Sequence, residues 1–232
     1  MSETPYVLCH MTSSIDGRAL VPRWHPDGAV PDGLWGHAKS RLGVQGSING
    51  RITGLEFAVG TQYPADTDRS FPRTDHLPPA GLPDYRVVID PHGAIAWGRG
   101  DVDGTPIVVA LLTSVPDSHL AGLHDDGVHY LFAGDTEIDL EVLLRKLGEL
   151  GISRVRLGGG PTTTGAFLHA GLIDEISLLL VPALDGYSGS PTIVEHDGAR
   201  DALQFPVTGI ELAASEVLDG GVLWLRYRLT NR

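Results

Sequence analysis

Residues 154–168 read RVRLGGGPTTTGAFL, and this stretch decides the fold that we expect. The run RVRL predicts a strand over residues 154–157, and three glycines follow it. Pro161 and three threonines open a predicted helix over residues 161–170, and Gly171 follows its end. A strand, a glycine turn and a helix in this order are typical of α/β proteins with parallel strands.

The same alternation runs along the rest of the chain. Apolar runs predict strands that are covered on both faces, at residues 6–11, 55–60, 85–90, 106–112, 128–134 and 175–182. Apolar residues at three- and four-residue steps predict a helix over residues 138–150. A further helix is predicted over residues 33–42, with Asp32 as its cap. Near the end of the chain, Asp219-Gly220 separates two runs, residues 210–217 and 222–229, and predicts an antiparallel hairpin.

These elements predict an α/β fold in which a mostly parallel sheet is flanked by helices and ends in a C-terminal antiparallel hairpin. No repeat or long linker divides the chain, so we expect a single domain over residues 1–232. The stretch rich in Pro, Gly and Asp at residues 66–83 is interpreted as a surface excursion, which could cover a site.

The composition excludes several classes of function. With 17 Lys and Arg against 29 Asp and Glu, the net charge is −12, which argues against a partner that is nucleic acid or an anionic membrane. The lone Cys9 excludes an intrachain disulfide and a cysteine-based zinc site. His119, His124 and His129 are spaced by five and share no helix face, so we expect no metal. No signal peptide or membrane span is recognised, which predicts a cytoplasmic protein.

The glycine turn is the main candidate site. A helix N-terminus presents unpaired N–H groups and a partial positive charge, and glycines let a ligand approach the backbone, so the turn suits a phosphate or pyrophosphate. The alternative is a tight connection in which glycine only relieves crowding. Two common motifs fail: a dinucleotide fingerprint needs glycine at Thr163, and a P-loop needs lysine at Ala166.

Three motifs together resemble one family. Three segments look like parts of the reductase domain of the riboflavin-biosynthesis deaminase–reductases. They are the glycine turn followed by AGLIDEISLLLVPALDG (residues 170–186), MTSSIDGRAL (11–20) and FAVGTQYPADTD (57–68). The second resembles the family's S-[LI]-D-G-[KR] motif, and the third resembles a strand that leads to a V-G-x-x-T-like turn. The resemblance covers nearly the whole chain. It implies a dihydrofolate-reductase-like fold, NADPH as cofactor, a homodimer, and reduction of a ribosylamino-pyrimidine phosphate.

The resemblance also implies site residues. Asp16 would relay a proton, unless a water does so, and the substrate would be bordered by Ser14, Arg18, Arg69 and Arg73. The cofactor would be held by Gly60, Thr61, Thr113, Ser114, Gly158, Gly159, Gly160, Thr162, Thr163 and Thr164. Among these, Gly60 and Thr61 would lie along the nicotinamide, and Thr113 and Ser114 would contact the adenosine 2′-phosphate.

Two departures from the family pattern bear on the substrate. The family often places Glu before the glycines, where this chain has Leu157, and the family's basic cluster is matched only by Arg69 and Arg73. The zinc motif of the deaminase is absent from the sequence, so a stand-alone reductase is expected. Two alternatives stay open: a reductase of another pterin, pyrimidine or carbonyl substrate, and a non-catalytic nucleotide-binding protein that keeps the fold.

Overall fold

Ten strands and five α-helices are formed by the residues that the computed structural model describes, 4–196 and 206–231. These residues belong to two compact units: unit 1 comprises residues 1–5 and 45–155, and unit 2 comprises residues 6–44 and 156–232. The single domain expected over residues 1–232 stays a prediction.

Unit 1 contains a mostly parallel sheet. Its strands are β2 (Ser47–Gly50), β3 (Arg86–Ile89), β4 (Asp101–Val102), β5 (Thr105–Leu111) and β6 (His129–Phe132). Strands β2, β3, β5 and β6 pair in parallel in that order, and the short β4 pairs antiparallel with β5. The helices of the unit are α2 (Arg51–Leu55), α3 (Asp117–Asp125) and α4 (Leu140–Glu149). Because parallel strands run in the same direction, their C-terminal ends and the loops that follow lie along one edge of the sheet.

The core of unit 1 explains the unbroken apolar run in β5. The last five residues of β5, Ile107–Leu111, are fully buried. Of these, Ile107, Val109 and Leu111 pack with Val88, Trp97 and Leu120, so this face of the sheet is covered by residues from the loops and from α3. Burial of this kind contributes on the order of 25 cal/mol per Å² of apolar surface.

Unit 2 combines a parallel pair with an antiparallel end. Strand β1 (Tyr6–Ser14) pairs in parallel with β8 (Glu175–Val181), and β8 pairs antiparallel with β10 (Leu223–Asn231). Strand β10 forms the predicted hairpin with β9 (Val207–Val217), through a one-turn 3₁₀ helix at Asp219–Gly221. Strand β7 (Arg154–Leu157) carries the chain from unit 1 into unit 2. Helices α1 (Leu34–Arg41) and α5 (Pro161–His169) complete the unit, together with a 3₁₀ turn at Val21–Arg23.

The predicted fold class is confirmed: the chain is mixed α/β, with mostly parallel strands flanked by helices and antiparallel strands at the C-terminus. The strands predicted at residues 6–11, 85–90, 106–112, 128–134, 154–157 and 175–182 are all present, with shifts at their ends. The helices at 138–150 and 161–170 and the hairpin are present too. Asp139 caps α4 by accepting a hydrogen bond from the Val142 N–H at 2.9 Å.

Two predictions about local structure are wrong. Residues 55–60 are not a strand, because α2 ends at Leu55 and the N–H groups of Val59 and Gly60 both donate to the Trp97 carbonyl. The second strand is instead the buried but polar SING segment, Ser47–Gly50. Asp32 does not cap α1; its N-cap is Gly33 in the left-handed region, at φ 73°. Helices α2 and α3 and strands β2 and β4 were not predicted.

Candidate functional site

In unit 2 the three glycines form the turn between β7 and α5. Gly159 and Gly160 have φ values of 92° and 80°, in the region that favours glycine. Gly160 is the N-cap of the nine-residue α5, and no described side chain caps this helix. The first turn of α5 therefore presents backbone N–H groups beside a turn without Cβ atoms, an arrangement suited to a phosphate.

The three threonines that follow differ in accessibility. Thr162 is exposed and Thr163 is partly buried, whereas Thr164 is fully buried. The Thr164 hydroxyl donates to the Gly160 carbonyl at 3.3 Å and its backbone N–H bonds to the same oxygen at 3.1 Å. Since Thr164 is buried and its hydroxyl also donates to the Met11 sulfur at 4.0 Å, the geometry favours Thr162 and Thr163 as the residues that face a ligand.

Arg156, which the sequence interpretation did not select, lies against this turn. A Cβ at Gly158 would meet the Arg156 guanidinium, so only glycine allows this side chain its position. The charge of Arg156 also acts on His10, whose pKa is lowered to about 4 by burial first and by Arg156 second. Arg156 thus places positive charge beside the turn. The signal in the sequence is its position two residues before the first glycine.

The SIDGR segment (residues 14–18) forms a closed turn at the end of β1. The Ser14 N–H donates to the Arg18 carbonyl at 2.9 Å and the Gly17 N–H to the Ser14 carbonyl at 3.0 Å. Ser14 is fully buried, and its hydroxyl donates to Asp16 and accepts from the Arg18 N–H. The Arg18 guanidinium donates to the Ser190 carbonyl at 2.8 Å. The segment therefore anchors the chain after β8.

Asp16 is the centre of that anchor. Its carboxylate accepts from the Ser14 hydroxyl at 2.5 Å and from the N–H groups of Asp185 and Gly186, at 3.2 and 2.8 Å. These bonds, that of Ser14 foremost, lower the pKa of Asp16 to about 2. These three hydrogen bonds give the ionised carboxylate a structural role, and its role as proton relay stays a prediction.

In unit 1, Thr113 and Ser114 follow β5. Ser114 is exposed, while the Thr113 hydroxyl donates to Asp135 at 2.7 Å. The Thr113 N–H bonds to the Gly134 carbonyl at 3.0 Å, which ties the loop after β5 to the loop after β6. The two residues thus lie at the C-terminal edge of the parallel sheet, with a carboxylate beside them.

Arg69 and Arg73 are engaged within unit 1. Arg73 donates to the carbonyls of Thr113, Phe71 and Val115 at 2.8 to 2.9 Å and to the Asp117 carboxylate at 2.6 Å. Arg69 pairs with Asp125 at 2.6 Å. Arg73 in particular acts as a clamp on the loop after β5, so the geometry favours a structural role over the predicted contact with substrate.

Gly60 and Thr61 lie in a loop rather than at a strand end. A Cβ at Gly60 would lie 2.8 Å from the Ala96 carbonyl oxygen, so close backbone contact explains this glycine. The end of the second strand carries Gly50-Arg51-Ile52-Thr53, which has the G-x-x-T spacing that the resemblance places at residues 57–68. Sequence reasoning missed this position because it placed the strand eight residues too late.

Among residues 4–196 and 206–231, no group of three or more His, Cys, Asp or Glu side chains is placed to hold a metal ion. Within the same ranges, no helix has the length and apolar character required to cross a membrane.

Comparisons with known proteins find relatives in sequence and in fold. The 2,5-diamino-6-ribosylamino-4(3H)-pyrimidinone 5′-phosphate reductase of Methanothermobacter thermautotrophicus is 32% identical over 96 residues, 41% of this chain and 44% of that protein. The enzyme of the same name from Aquifex aeolicus is 23% identical and covers 85% of this chain and 86% of its own length. A pyrimidine reductase-like protein from Corynebacterium diphtheriae superimposes with a TM-score of 0.70 at 15% identity, over 98% of this chain and 93% of that one.

Fold and site together define an α/β protein whose polar and glycine-rich loops follow parallel strands. The model of the RibD C-terminal domain matches residues 5–224, and the chain belongs to this family. The resemblance seen in the sequence is thus confirmed, and so is the predicted class, an oxidoreductase of riboflavin biosynthesis. The individual roles assigned to site residues stay predictions.

Proposed function

We propose that this protein is an NADPH-dependent reductase of a ribosylamino-pyrimidine phosphate, the class of substrate named for its relatives. The observation that carries the proposal is the family match over residues 5–224, joined to the uncapped glycine turn of unit 2. Gly159, Gly160 and the first turn of α5 fit a pyrophosphate, and Arg156 adds positive charge beside them. We place the reaction in the cytoplasm.

Bound NADPH would supply the hydride, and the chain's own residues would bind and orient the reactants. The backbone N–H groups of Thr162 and Thr163 would hold the pyrophosphate, and the fully buried Leu157 would pack beneath the turn. Asp16, which is ionised at neutral pH, would fix the loop after β8 rather than donate a proton.

The test is oxidation of NADPH, followed at 340 nm, with 2,5-diamino-6-ribosylamino-4(3H)-pyrimidinone 5′-phosphate as substrate. We expect turnover that requires both reactants, and weaker turnover with NADH. The absence of NADPH binding at millimolar concentration would overturn the proposal.

A second candidate is a protein that binds the nucleotide without catalysis. Leu157 favours it, because an apolar buried side chain occupies the position where the family often has Glu. NADPH binding without oxidation over a panel of pyrimidine, pterin and carbonyl substrates would support this candidate. Turnover with a pterin or carbonyl compound alone would instead identify a reductase of another substrate.

We also propose a homodimer formed through strand β9. This strand has 11 residues and pairs with β10 on one side, and Ile210, Leu212 and Val217 on it are 64%, 52% and 71% exposed. A long edge strand with exposed apolar side chains is a surface that pairs with another chain. Light scattering after size exclusion should give the mass of two chains. Leu212→Glu should give the mass of one, whereas Glu211→Lys on the opposite face should leave the dimer intact.

A further inference from the structure

The excursion at residues 66–83 is joined to the rest of unit 1 by a row of aromatic rings. Phe71 of the excursion stacks on His124 of α3, with ring centroids 4.8 Å apart. The His124 ring in turn lies 4.4 Å from that of His76 in the excursion, and the His76 ring lies 5.1 Å from that of His129 in β6. These four rings form a histidine stack, to which the excursion and the rest of unit 1 contribute two rings each.

Backbone hydrogen bonds hold the excursion at the same place. The His76 N–H donates to the Tyr130 carbonyl at 2.9 Å, and the Tyr130 N–H donates to the His76 carbonyl at 2.8 Å, which makes an antiparallel bridge to β6. One residue earlier, the Asp75 carboxylate accepts from the Phe132 N–H at 2.9 Å. Because His76 makes both the bridge and two ring contacts, a force on its ring acts directly on the backbone bonds.

The histidines of the stack lie in surroundings that disfavour charge. All three are partly buried, and the Nδ1 atom of His129 is buried with no hydrogen-bond partner among the described residues. The pKa of His124 and that of His129 are lowered, by burial first and by the neighbouring His76 second. Two imidazolium ions at these separations would repel each other, because a partly buried site screens charge less than water does.

The charged groups around the stack occur as ion pairs. They are Arg69–Asp125, Arg73–Asp117 and Lys146–Asp75, with N–O distances of 2.6, 2.6 and 2.7 Å. In each pair the carboxylate already has a basic partner. Protonated histidines would have to compete with these cations for the same carboxylates, so the pairs offer little compensation for added positive charge.

We propose that the histidine stack is a pH-sensitive fastener, which holds the excursion on β6 at neutral pH and releases it in mild acid when the imidazoles become charged. Repulsion between two charged rings is relieved when the excursion moves away from α3 and β6 and water enters. Arg73 moves with the excursion, and its hydrogen bond to the Thr113 carbonyl is lost. Acid thus loosens the loop after β5 as well, within the same unit.

The direction of the pH effect follows from proton uptake. An exposed imidazole has a pKa of about 6.5. The pKa values of His124 and His129 in the folded protein are lower than that of an exposed histidine. Below about pH 6.5 the released form therefore binds more protons than the fastened form, so a falling pH favours release and a rising pH restores the fastening.

Hydrogen exchange of the full chain at pH 7.5 and 5.0 tests the proposal, with rates corrected for the intrinsic pH dependence of exchange. The readout is the protection factor of the amides at positions 76 and 130, divided by that of Val88, which lies in β3 between β2 and β5. In the wild type we expect this ratio to fall at least about tenfold at pH 5.0, because the bridge opens locally while the sheet stays intact.

Variants of the stack identify the cause. His76→Phe keeps an aromatic ring in the stack and removes the histidine that both other histidines contact, so the ratio should change by no more than about twofold between the two pH values. His92→Phe replaces an exposed histidine outside the stack and should keep the response of the wild type. His124→Phe removes the closer histidine contact and should reduce the response at least about twofold, which decides the question if His76→Phe fails to fold.

Three outcomes would overturn the proposal. The first is a ratio in the wild type that is the same at both pH values. The second is a fall in His76→Phe as large as in the wild type, because the imidazoles would then not be its cause. The third is an equal fall in the protection of Val88, since the whole unit would then unfold and the excursion would not be released by itself. None of these outcomes depends on turnover or on NADPH, so a failed reductase assay leaves them readable.

Discussion

The Gly186 N–H donates to the Asp16 carboxylate at 2.8 Å, across 170 positions of the chain. With the bonds from Ser14 and Asp185, this contact fixes the loop after β8 to the turn after β1. Within unit 2 the Asp16-Gly17 turn thus connects two parallel strands, and the role of Asp16 as proton relay stays a prediction.

Asp16→Asn should therefore lower the melting temperature, because an amide accepts these hydrogen bonds less well than a carboxylate. The activity of the folded fraction should change little. Thermal unfolding and initial rates measure the two effects, and Asp32→Asn, at an exposed position of the same unit, serves as control. A large loss of kcat with an unchanged melting temperature would instead support the proton-relay role.

Gly160→Ala should weaken NADPH binding by about tenfold, or about 1.4 kcal/mol. Alanine at φ 80° strains the turn and shifts the N–H groups that would meet the pyrophosphate. Gly28→Ala is the matched control, since Gly28 has a φ of 72° with open space around it. Fluorescence titration with NADPH should separate the two variants even where both lose stability. Equal affinities would contradict the assignment of this turn to the cofactor.

The stability of the protein should fall in acid because of His10. Its pKa is about 4 in the folded state, against about 6.5 in an unfolded chain, so unfolding takes up a proton between these values. The contribution of His10 is complete above pH 6.5 and is lost as the pH falls toward 4, up to about 3 kcal/mol at about 1.36 kcal/mol per pKa unit.

Urea unfolding at a series of pH values between 7.5 and 4.5 measures this slope. His10→Gln should flatten it, since glutamine does not titrate, and His92→Gln at an exposed position should not. The lowered pKa values of His124 and His129, caused first by burial, act in the same direction. Stability that stays constant down to pH 4.5 in the wild type would contradict the prediction.

Arg73→Ala should destabilise the protein by about 1 to 2 kcal/mol, because four acceptors around the loop after β5 lose their donor. Arg73→Lys should recover little of this loss, since an ammonium group cannot reproduce the guanidinium fork. The surface pair of Arg145 and Glu149 supplies the control, and Arg145→Ala should cost no more than about 0.5 kcal/mol. Chemical denaturation measures all three. A raised KM with unchanged stability would instead support the predicted contact between Arg73 and the substrate.

Much of the fold was predictable because its signals are local. Residues 107–111 of β5 and 178–181 of β8 are unbroken apolar runs, α4 has a clear apolar face with Asp139 before it, and the Asp219-Gly220 turn separates two strands. In each case neighbouring residues carry the information. The glycine turn between β7 and α5 belongs to the same group, since Gly159 and Gly160 adopt the positive φ values that a tight turn requires.

The failures arise where tertiary contacts override local pattern. Strand β2 is short and polar, and only its burial beside β3 makes it a strand. Helix α3 has a weak apolar pattern because its buried residues include Ser118, His119 and Gly122, the last of which makes room for the Tyr63 ring.

The sequence by itself determined the fold class, the family and the position of the glycine turn, because runs, spacings and motifs are properties of adjacent residues. Only the tertiary structure decided what individual side chains do. It directs the Thr164 hydroxyl into the helix, engages Asp16 and Arg73 in structural bonds, and brings Arg156 to the glycine turn. Hydrogen-bond partners far apart in the chain set these roles, and no local pattern records which donor meets which acceptor.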